Sequence, residues 1–163
     1  MTPMSIAETA PQTIHRGTTE LPWVDLGDGS VLQLVRVDLD AGVWVVRTRF
    51  APGAAVQTHR HTGHVDAFTL SGSWHYVESP EAVNTAGSYL FEPAGSVHTL
   101  VVPDTNEGET DVWFTIHGAN LNLDADGNVE MVIDAGVILE FYRALCDQQH
   151  GVSDPPVIVT GGA

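Results

Sequence analysis

The chain contains no lysine and only 6 arginines, against 21 acidic side chains. The resulting formal net charge of −15 argues against nucleic acid, whose recognition needs a basic surface, and against anionic membrane surfaces. The absence of lysine also excludes Schiff-base catalysis, a P-loop lysine and a pyridoxal phosphate anchor. We therefore expect neither a nucleic-acid partner nor a membrane partner.

Cysteine is almost absent as well, because Cys146 is the single one in the sequence. An intrachain disulfide is therefore impossible, and a reducing, cytoplasmic setting is the natural expectation. Residues 1–12 lack the basic and apolar regions of a secretory signal, and no apolar run is long enough to span a bilayer. A length of 163 residues with 43% hydrophobic content predicts one domain with a sizeable core.

Short strand-like segments, separated by Gly, Pro, Asn and Asp, dominate the chain from about residue 21. This pattern is typical of an antiparallel sandwich or barrel. Alternation over 43–50 predicts an inward face made of Trp44, Val46, Thr48 and Phe50. The predicted organisation is an N-terminal arm over 1–20, an all-β domain that closes with a helix over 21–149, and an extended or disordered tail over 150–163.

One segment has helical character instead. Apolar residues recur at helical spacing from Asp134 to about Gln149, and Gly151 can end the run. The members of this apolar set are Val137, Ile138, Phe141, Tyr142 and Leu145. We expect one C-terminal helix packed on the outside of the β-domain.

Three histidines stand out in this framework. His59 and His61 form an H-x-H pair, and strand side chains alternate with period two, so both would lie on one face of a strand. The turn-forming sequence from Pro93 to Gly95 would deliver His98 opposite that pair. Three imidazoles suit Zn, Fe, Ni or Cu, so the ligands alone do not name the metal.

The two histidine segments resemble the two motifs of the cupin superfamily. The first motif, G-x5-H-x-H with a closing glycine, is matched by Gly53, His59, His61 and Gly72. The second motif, G-x5-P-x-G-x2-H, is matched by Gly87, Pro93, Gly95 and His98. The resemblance implies a double-stranded β-helix, that is a jelly-roll barrel, with His59, His61 and His98 as metal ligands. Cupins usually add a glutamate ligand after the H-x-H pair.

That glutamate is missing here, because the corresponding positions hold Val65 and Asp66, with His64 just before. Valine cannot bind a metal, so we favour a three-histidine site with open positions for water, substrate and dioxygen. A fourth ligand from Asp66 or His64 remains the alternative. It requires a different loop path or a loop one residue longer.

A neutral three-histidine set resembles the group of acetylacetone dioxygenase and 2,4'-dihydroxyacetophenone dioxygenase. The likeness extends beyond the histidines to Leu70–Tyr76, Gly87–Gly95 and Val97–Leu100. It implies a nonheme Fe(II) enzyme that cleaves a carbon–carbon bond of a β-diketone or aryl hydroxyketone with O2, and a homodimer or homotetramer. Zn or Ni can occupy such a site in purified protein.

Two further residues are candidates for the chemistry. Glu92, six residues before His98, occupies a position where the diketone-cleaving enzyme has a glutamate near its metal. It would orient a histidine or hold water, whereas the competing interpretation is a solvated glutamate at a strand end. Tyr76 shares a strand face with Trp74 and either lines the cavity or packs in the core.

Two other function classes compete with the dioxygenase. The first is a non-catalytic zinc-binding cupin that serves as a sensor or regulatory module, as in some anti-sigma factors. The second is an oxygen-independent cupin isomerase or decarboxylase that uses Mn or Ni. Turnover without oxygen consumption would indicate the second class, and zinc retention without oxygen reactivity would indicate the first.

Overall fold

A computed structural model describes residues 10–163, and the first part of the predicted arm, residues 1–9, lies outside the described residues. The described part contains short strands and one helix. The strands are β1 (Val24–Asp25), β2 (Ser30–Asp38), β3 (Val43–Phe50), β4 (His59–His61), β5 (Val65–Ser71), β6 (Ser73–Tyr76), β7 (Ser79–Thr85), β8 (Tyr89–Glu92), β9 (Val97–His98), β10 (Leu100–Val101), β11 (Thr110–His117), β12 (Asn120–Leu123), β13 (Val129–Ile133) and β14 (Ile158–Thr160), and the helix is α1 (Ala135–His150).

The strands form three sheets. The largest has seven strands in the order β1-β2-β3-β11-β5-β8, with β14 also paired to β2. A three-stranded sheet has the order β10-β6-β7, and a four-stranded sheet has the order β13-β12-β4-β9. The sheets do not close into one continuous barrel, but their arrangement is that of a jelly-roll cupin. The predicted all-β fold with one C-terminal helix is confirmed.

The core fills the space between the sheets. The predicted inward face of β3 is confirmed, because Trp44, Val46, Thr48 and Phe50 are all buried. On the neighbouring strand β11 the alternate residues Val112, Phe114 and Ile116 are buried as well. Because both strands send every second side chain to the same side, the large sheet has one apolar inner face.

The outer face of the large sheet carries a buried ion pair. Arg47 on β3 donates two hydrogen bonds to Asp111 on β11, at 2.9 and 2.7 Å. Arg49 donates a third to the same carboxylate at 3.0 Å, and its guanidinium lies 4.3 Å from the ring centroid of Trp23. Arg47 and Asp111 are respectively 9% and 6% exposed, so this pair is shielded from water.

The helix α1 begins and ends as the sequence predicts. Asp134 caps it by accepting a hydrogen bond from the Val137 backbone N–H at 2.9 Å, and Gly151 ends it with φ of 68°. The buried face differs from the predicted apolar set, because Val137 and Phe141 are 44% and 52% exposed. Two members of the predicted set, Ile138 and Tyr142, are buried, and Ala135, Leu139 and Cys146 are buried with them. No described helix has both the length and the apolar character needed to cross a membrane.

The two ends of the described chain pack on the same domain. Arg16 Nε donates to the Pro156 carbonyl at 2.5 Å, and the Gln33 side chain donates to the Thr18 carbonyl at 3.1 Å. In the predicted tail, β14 pairs in parallel with β2, with Ile158 opposite Arg36. Residues 158–160 are therefore ordered as a sheet strand, because their backbone groups bond to β2.

Candidate metal centre

Strand register brings the three histidines of the two motifs together. His59 on β4 is paired directly with His98 on β9, so their side chains leave the same face of the four-stranded sheet. His61 lies two residues further along β4 and therefore shares that face. The turn before β9 is closed by a hydrogen bond from the Ser96 N–H to the Pro93 carbonyl, at 3.1 Å. This turn places β9 against β4.

The three imidazoles converge as metal ligands do. One donor nitrogen from each ring lies within 4.8 Å of the other two, and all three residues are buried. The Nδ1 atom of His59 lies 2.8 Å from the Gln57 carbonyl, which leaves Nε2 as the free nitrogen of that ring. Burial lowers the pKa of His59 to about 4, so the ring is neutral and able to bind a metal near pH 7.

Glu92 approaches this cluster from the opposite sheet. It is paired with Val65 at the inner face of the seven-stranded sheet and is 3% exposed. One carboxylate oxygen, Oε2, lies 2.8 Å from His61 Nε2 and 3.2 Å from His98 Nε2. Burial alone raises the pKa of Glu92, but its contacts with the two imidazoles outweigh burial and lower the pKa to about 2. The solvated glutamate that the sequence left open is therefore not found.

Tyr76 joins the same group from the three-stranded sheet. Its ring stacks on the ring of His98, with centroids 3.9 Å apart. Its hydroxyl donates a hydrogen bond to Glu92 Oε1, the oxygen that does not face the histidines. Burial and the neighbouring Glu92 raise the pKa of Tyr76, so the phenol keeps its proton as a donor. Tyr76 therefore contacts both a histidine and the carboxylate, besides packing against Trp74.

Three buried polar atoms of this group lack hydrogen-bond partners. Among the described residues, His98 Nε2, Glu92 Oε2 and His61 Nδ1 are buried without an acceptable hydrogen bond. Buried polar atoms without a partner are costly and rare. A cation would satisfy imidazole nitrogen and carboxylate oxygen together, so the donor set fits a divalent metal ion of the kind bound by imidazole. The cluster could therefore hold a metal.

An apolar cavity opens from the histidines. Its volume is about 210 Å³, and His59, His61, Glu92 and Tyr76 contribute to its wall. Aliphatic and aromatic side chains supply most of the remaining wall: Leu32, Trp44, Val46, Phe50, Val56, Val65, Leu100, Phe114, Ile116, Ile133 and Ile138. Sites for drug-sized ligands are larger, at ~300–1,000 Å³, so this cavity suits a small, partly apolar molecule.

The alternative fourth ligands lie elsewhere. Val65 faces the cavity, so the adjacent His64 and Asp66 lie on the other face of the sheet. There the two residues form a separate group with His117. The structure therefore does not bring His64 or Asp66 to the three motif histidines, and the carboxylate near them is Glu92.

Two asparagines in the cavity wall were not predicted from the sequence. On β12, Asn120 is paired with His61 and Asn122 with His59, so both share the face of the histidines. The Oδ1 atom of Asn120 is buried and has no hydrogen-bond partner among the described residues. The alternation of Asn120 and Asn122 signals a polar strand face, but only the pairing of β12 with β4 shows where that face lies.

Fold and site together define a cupin with a histidine cluster at its centre. The family model described as the ChrR cupin-like domain matches residues 11–120, and the chain belongs to this family. Membership of the cupin superfamily, predicted from the two motifs, is thereby confirmed. Comparison of the sequence with curated proteins gives no match.

Solved structures agree with this assignment. A protein of unknown function with a cupin-like fold from Ralstonia eutropha JMP134 is 35% identical, over 94% of this chain and 96% of that chain, with a TM-score of 0.85. An acetylacetone dioxygenase from Acinetobacter johnsonii is 19% identical, over 89% and 99%, with a TM-score of 0.71. The anti-sigma ChrR of Rhodobacter sphaeroides, solved in complex with SigE, is 18% identical, over 62% and 52%, with a TM-score of 0.52. At these lower identities the likeness concerns the fold.

Proposed function

We propose that the protein is a metal-dependent dioxygenase that cleaves a carbon–carbon bond of a β-diketone or aryl hydroxyketone with O2. The observation that carries this proposal is the buried cluster of His59, His61 and His98, which Glu92 contacts, next to a small apolar cavity lined by His59, His61 and Glu92. The fold shared with an acetylacetone dioxygenase supports it. The cavity volume of about 210 Å³ limits the substrate to a small molecule.

In this proposal His59, His61 and His98 hold the metal, which is Fe(II) in the active enzyme and which Zn or Ni can replace during purification. The metal supplies Lewis acidity and a template that brings ketone and O2 together. The single cysteine, Cys146, is buried and suits the reducing, cytoplasmic setting that ferrous iron requires.

Glu92 sets the charge of the site in this proposal. Its low pKa keeps the carboxylate ionised near pH 7. A divalent cation, ionised Glu92 and one enolate anion sum to zero charge, which favours a substrate that binds as a monoanion. A β-diketone meets this requirement because its enol is acidic, and a hydroxyketone meets it as a singly deprotonated enolate or phenolate. Glu92 also fixes the orientation of His61 and His98 through its contacts at 2.8 and 3.2 Å.

Tyr76 and Asn120 act on geometry rather than on charge. Tyr76 holds the Glu92 carboxylate through its hydroxyl and limits rotation of His98 by stacking. Asn120 presents a buried Oδ1 acceptor without a partner to the cavity. The O–H that a hydroxyketone monoanion retains would donate to that acceptor and thereby orient the substrate.

The test is oxygen uptake by full-length protein reconstituted anaerobically with Fe(II). Acetylacetone and 2,4'-dihydroxyacetophenone are supplied side by side, with His98→Ala as the variant that lacks one ligand. We expect uptake with one of the two ketones, and none in the variant. Absence of uptake with both ketones at one bound iron per chain, or full activity in the variant, would contradict the proposal.

A second candidate function is a zinc-binding regulatory module. The match to the ChrR cupin-like family and the fold shared with the anti-sigma ChrR favour it. Under this alternative the same histidines hold Zn²⁺ and the protein acts through a protein partner. Zinc that stays bound through purification, together with iron-loaded protein that consumes no O2 with any small ketone, would favour the module over the enzyme.

Assembly into a homodimer or homotetramer stays a prediction. The outer face of the large sheet exposes apolar side chains on its last two strands, β5 and β8: Phe68, Leu70, Tyr89 and Phe91, each 47–55% exposed. Sedimentation of the full-length protein at several concentrations measures its mass and decides between a monomer and these two assemblies.

A further inference from the structure

A second group of metal-binding side chains lies on the outer face of the large sheet. It consists of His64, Asp66 and His117, and one donor atom from each lies within 4.8 Å of the other two. All three residues are partly exposed, in contrast to the buried motif histidines. The function proposed above uses none of them, so the interior metal site does not explain why these three side chains converge.

The register of two neighbouring strands creates this group. Val65 on β5 is paired with Ile116 on β11, and the His117 backbone N–H donates to the His64 carbonyl at 3.0 Å. Val65 and Ile116 point into the core, so the residues flanking them point outward. His64, Asp66 and His117 therefore meet on the outside, with the wall of the sheet between them and the cavity.

Two residues of this group, His117 and Asp66, each form a hydrogen bond through one side-chain atom, which leaves the other atom free to bind a metal. Nδ1 of His117 lies 3.3 Å from the His64 carbonyl, so this nitrogen carries the proton and Nε2 keeps its lone pair. The Tyr89 hydroxyl donates to Asp66 Oδ1 at 2.5 Å, which leaves Oδ2 free, 3.9 Å from His64 Nε2. Such outer contacts to a carbonyl and from a hydroxyl are typical of metal-binding histidine and carboxylate.

Charge favours a cation at this place. Among the described residues Asp66 forms no ion pair with an arginine, and the whole chain carries a net charge of −15. The His64 and His117 rings stack with centroids 3.8 Å apart, which places two imidazoles beside the carboxylate. Two nitrogens and one carboxylate oxygen are a common donor set for zinc.

We propose that His64, Asp66 and His117 form a surface site for a divalent transition metal such as Zn²⁺, with water completing the coordination. Ligands of one tetrahedral zinc ion lie about 3.4 Å apart, given bonds of ~2.0–2.2 Å. The donors must therefore close by somewhat more than 1 Å, starting from separations of up to 4.8 Å. Side-chain rotation can supply this movement, because the His64 and Asp66 side chains are 46% and 28% exposed.

The experiment counts zinc ions on the full-length protein by competition with a chromophoric chelator after the protein has been stripped of metal. His117→Gln is compared with wild type, and the pair is repeated in the His98→Ala background, which weakens the interior cluster. We expect His117→Gln to bind one zinc fewer in both backgrounds. His15→Gln, which removes a histidine with an 89% exposed side chain outside both clusters, is the matched control and keeps the wild-type count.

Asp66→Asn is a second test of the same site, needed in case His117→Gln does not fold. Its amide keeps an oxygen that can accept the hydrogen bond from the Tyr89 hydroxyl, so we expect this variant to fold. We expect it to weaken the outer zinc by at least ~10-fold while the unfolding temperature of the metal-free protein changes little. The proposal is overturned if His117→Gln and Asp66→Asn bind zinc with wild-type count and affinity. It is equally overturned if the outer ion binds wild type only at millimolar zinc, as an adventitious ion would.

Discussion

The phenol ring of Tyr76 lies nearly parallel to the imidazole ring of His98, with an angle of 11° between the planes and 3.9 Å between the centroids. The same tyrosine donates its hydroxyl proton to Glu92, which faces His61 and His98 with its other oxygen. Tyr76, His98 and Glu92 come from three different sheets. Their contacts therefore tie the sheets together where the histidines converge.

Removing the Tyr76 hydroxyl tests this arrangement. Tyr76→Phe keeps the stacking on His98 but leaves Glu92 Oε1 buried without its donor. Loss of such a supporting contact typically weakens metal binding by about 10–100-fold, and we expect that loss for Zn²⁺. Tyr76→Leu, which loses the ring as well, should bind zinc still more weakly. Equal affinity of Tyr76→Phe and wild type, measured by chelator competition, would refute a positioning role for the hydroxyl.

Metal removal tests the motif histidines directly. A ligand that binds only the folded state stabilises it by about 2.7 kcal/mol at a concentration of 100 Kd. Zinc or iron should therefore raise the unfolding temperature of wild type, and stripping the metal should lower it. In the His117→Gln background, which lacks a ligand of the outer group, we expect this rise to be largely lost in His98→Ala, with His75→Ala as the control, since His75 lies outside both metal-binding groups. A full rise in His98→Ala would mean that the interior cluster does not hold the stabilising ion.

Local sequence patterns predicted most of this site, because the spacing of its histidines and the turn before His98 depend on residues close together in the chain. The H-x-H spacing places His59 and His61 on one strand face, and the turn at Pro93–Gly95 orients His98 towards them. The burial of Glu92 could not be predicted in the same way. A glutamate at a strand end satisfies the alternation whether it faces water or a cavity, and only the pairing of β8 with β5 decides.

The features that the sequence did not reveal depend on long-range pairing or lack an apolar pattern. The strand Ser79–Thr85 has polar residues on both faces and buries only Asn84, so no alternation indicates it. Ile158–Thr160 becomes a strand because β2 offers it a partner more than a hundred residues away. His117 joins His64 through the register of β11 with β5, which no local spacing encodes.

The glycine that closes the first motif should tolerate substitution poorly. Gly72 has φ of 77°, and a Cβ atom there would lie 2.7 Å from the Thr110 Cα atom. We expect Gly72→Ala to lower the free energy of unfolding by roughly 3 kcal/mol, from backbone strain and the clash together. Gly87→Ala is the matched control, since its φ of 87° is similar but no atom lies within 4 Å of the added carbon. It should cost only about 1 kcal/mol in urea unfolding.

The Asp111 carboxylate should give the fold a sensitivity to acid. Burial raises the pKa of Asp111, but hydrogen bonds from Arg47 and Arg49 outweigh burial and lower the pKa below 3.8. A lowered pKa in the folded state means that the carboxylate stabilises the fold above pH 3.8 and that this stabilisation is lost as the pH falls further.

Asp111→Asn checks that sign. The variant leaves the largely buried Arg47 without an anion, so we expect a loss of about 3 kcal/mol of unfolding free energy at pH 7. The difference from wild type should shrink below pH 4, because the unfolded wild-type chain then takes up a proton at Asp111 that the folded state, with its lowered pKa, binds only at lower pH. Urea unfolding of both proteins from pH 3 to pH 7 measures the difference, and a gap that stays constant with pH would contradict the assigned pKa direction.

Asn120 offers a test in which stability and function should move in opposite directions. Its Oδ1 atom is buried at the cavity wall without a partner, which costs the folded state about 1–3 kcal/mol. Asn120→Leu removes that unpaired atom and keeps the same branched heavy-atom skeleton, so the unfolding temperature should rise. If the ketone donates to this oxygen, KM should rise about 10-fold in the same variant, while its iron content stays unchanged. Asn122→Leu, on the same strand face, is the control and should change KM less. A less stable Asn120→Leu with unchanged KM would mean that the amide is bonded within the fold and does not orient the substrate.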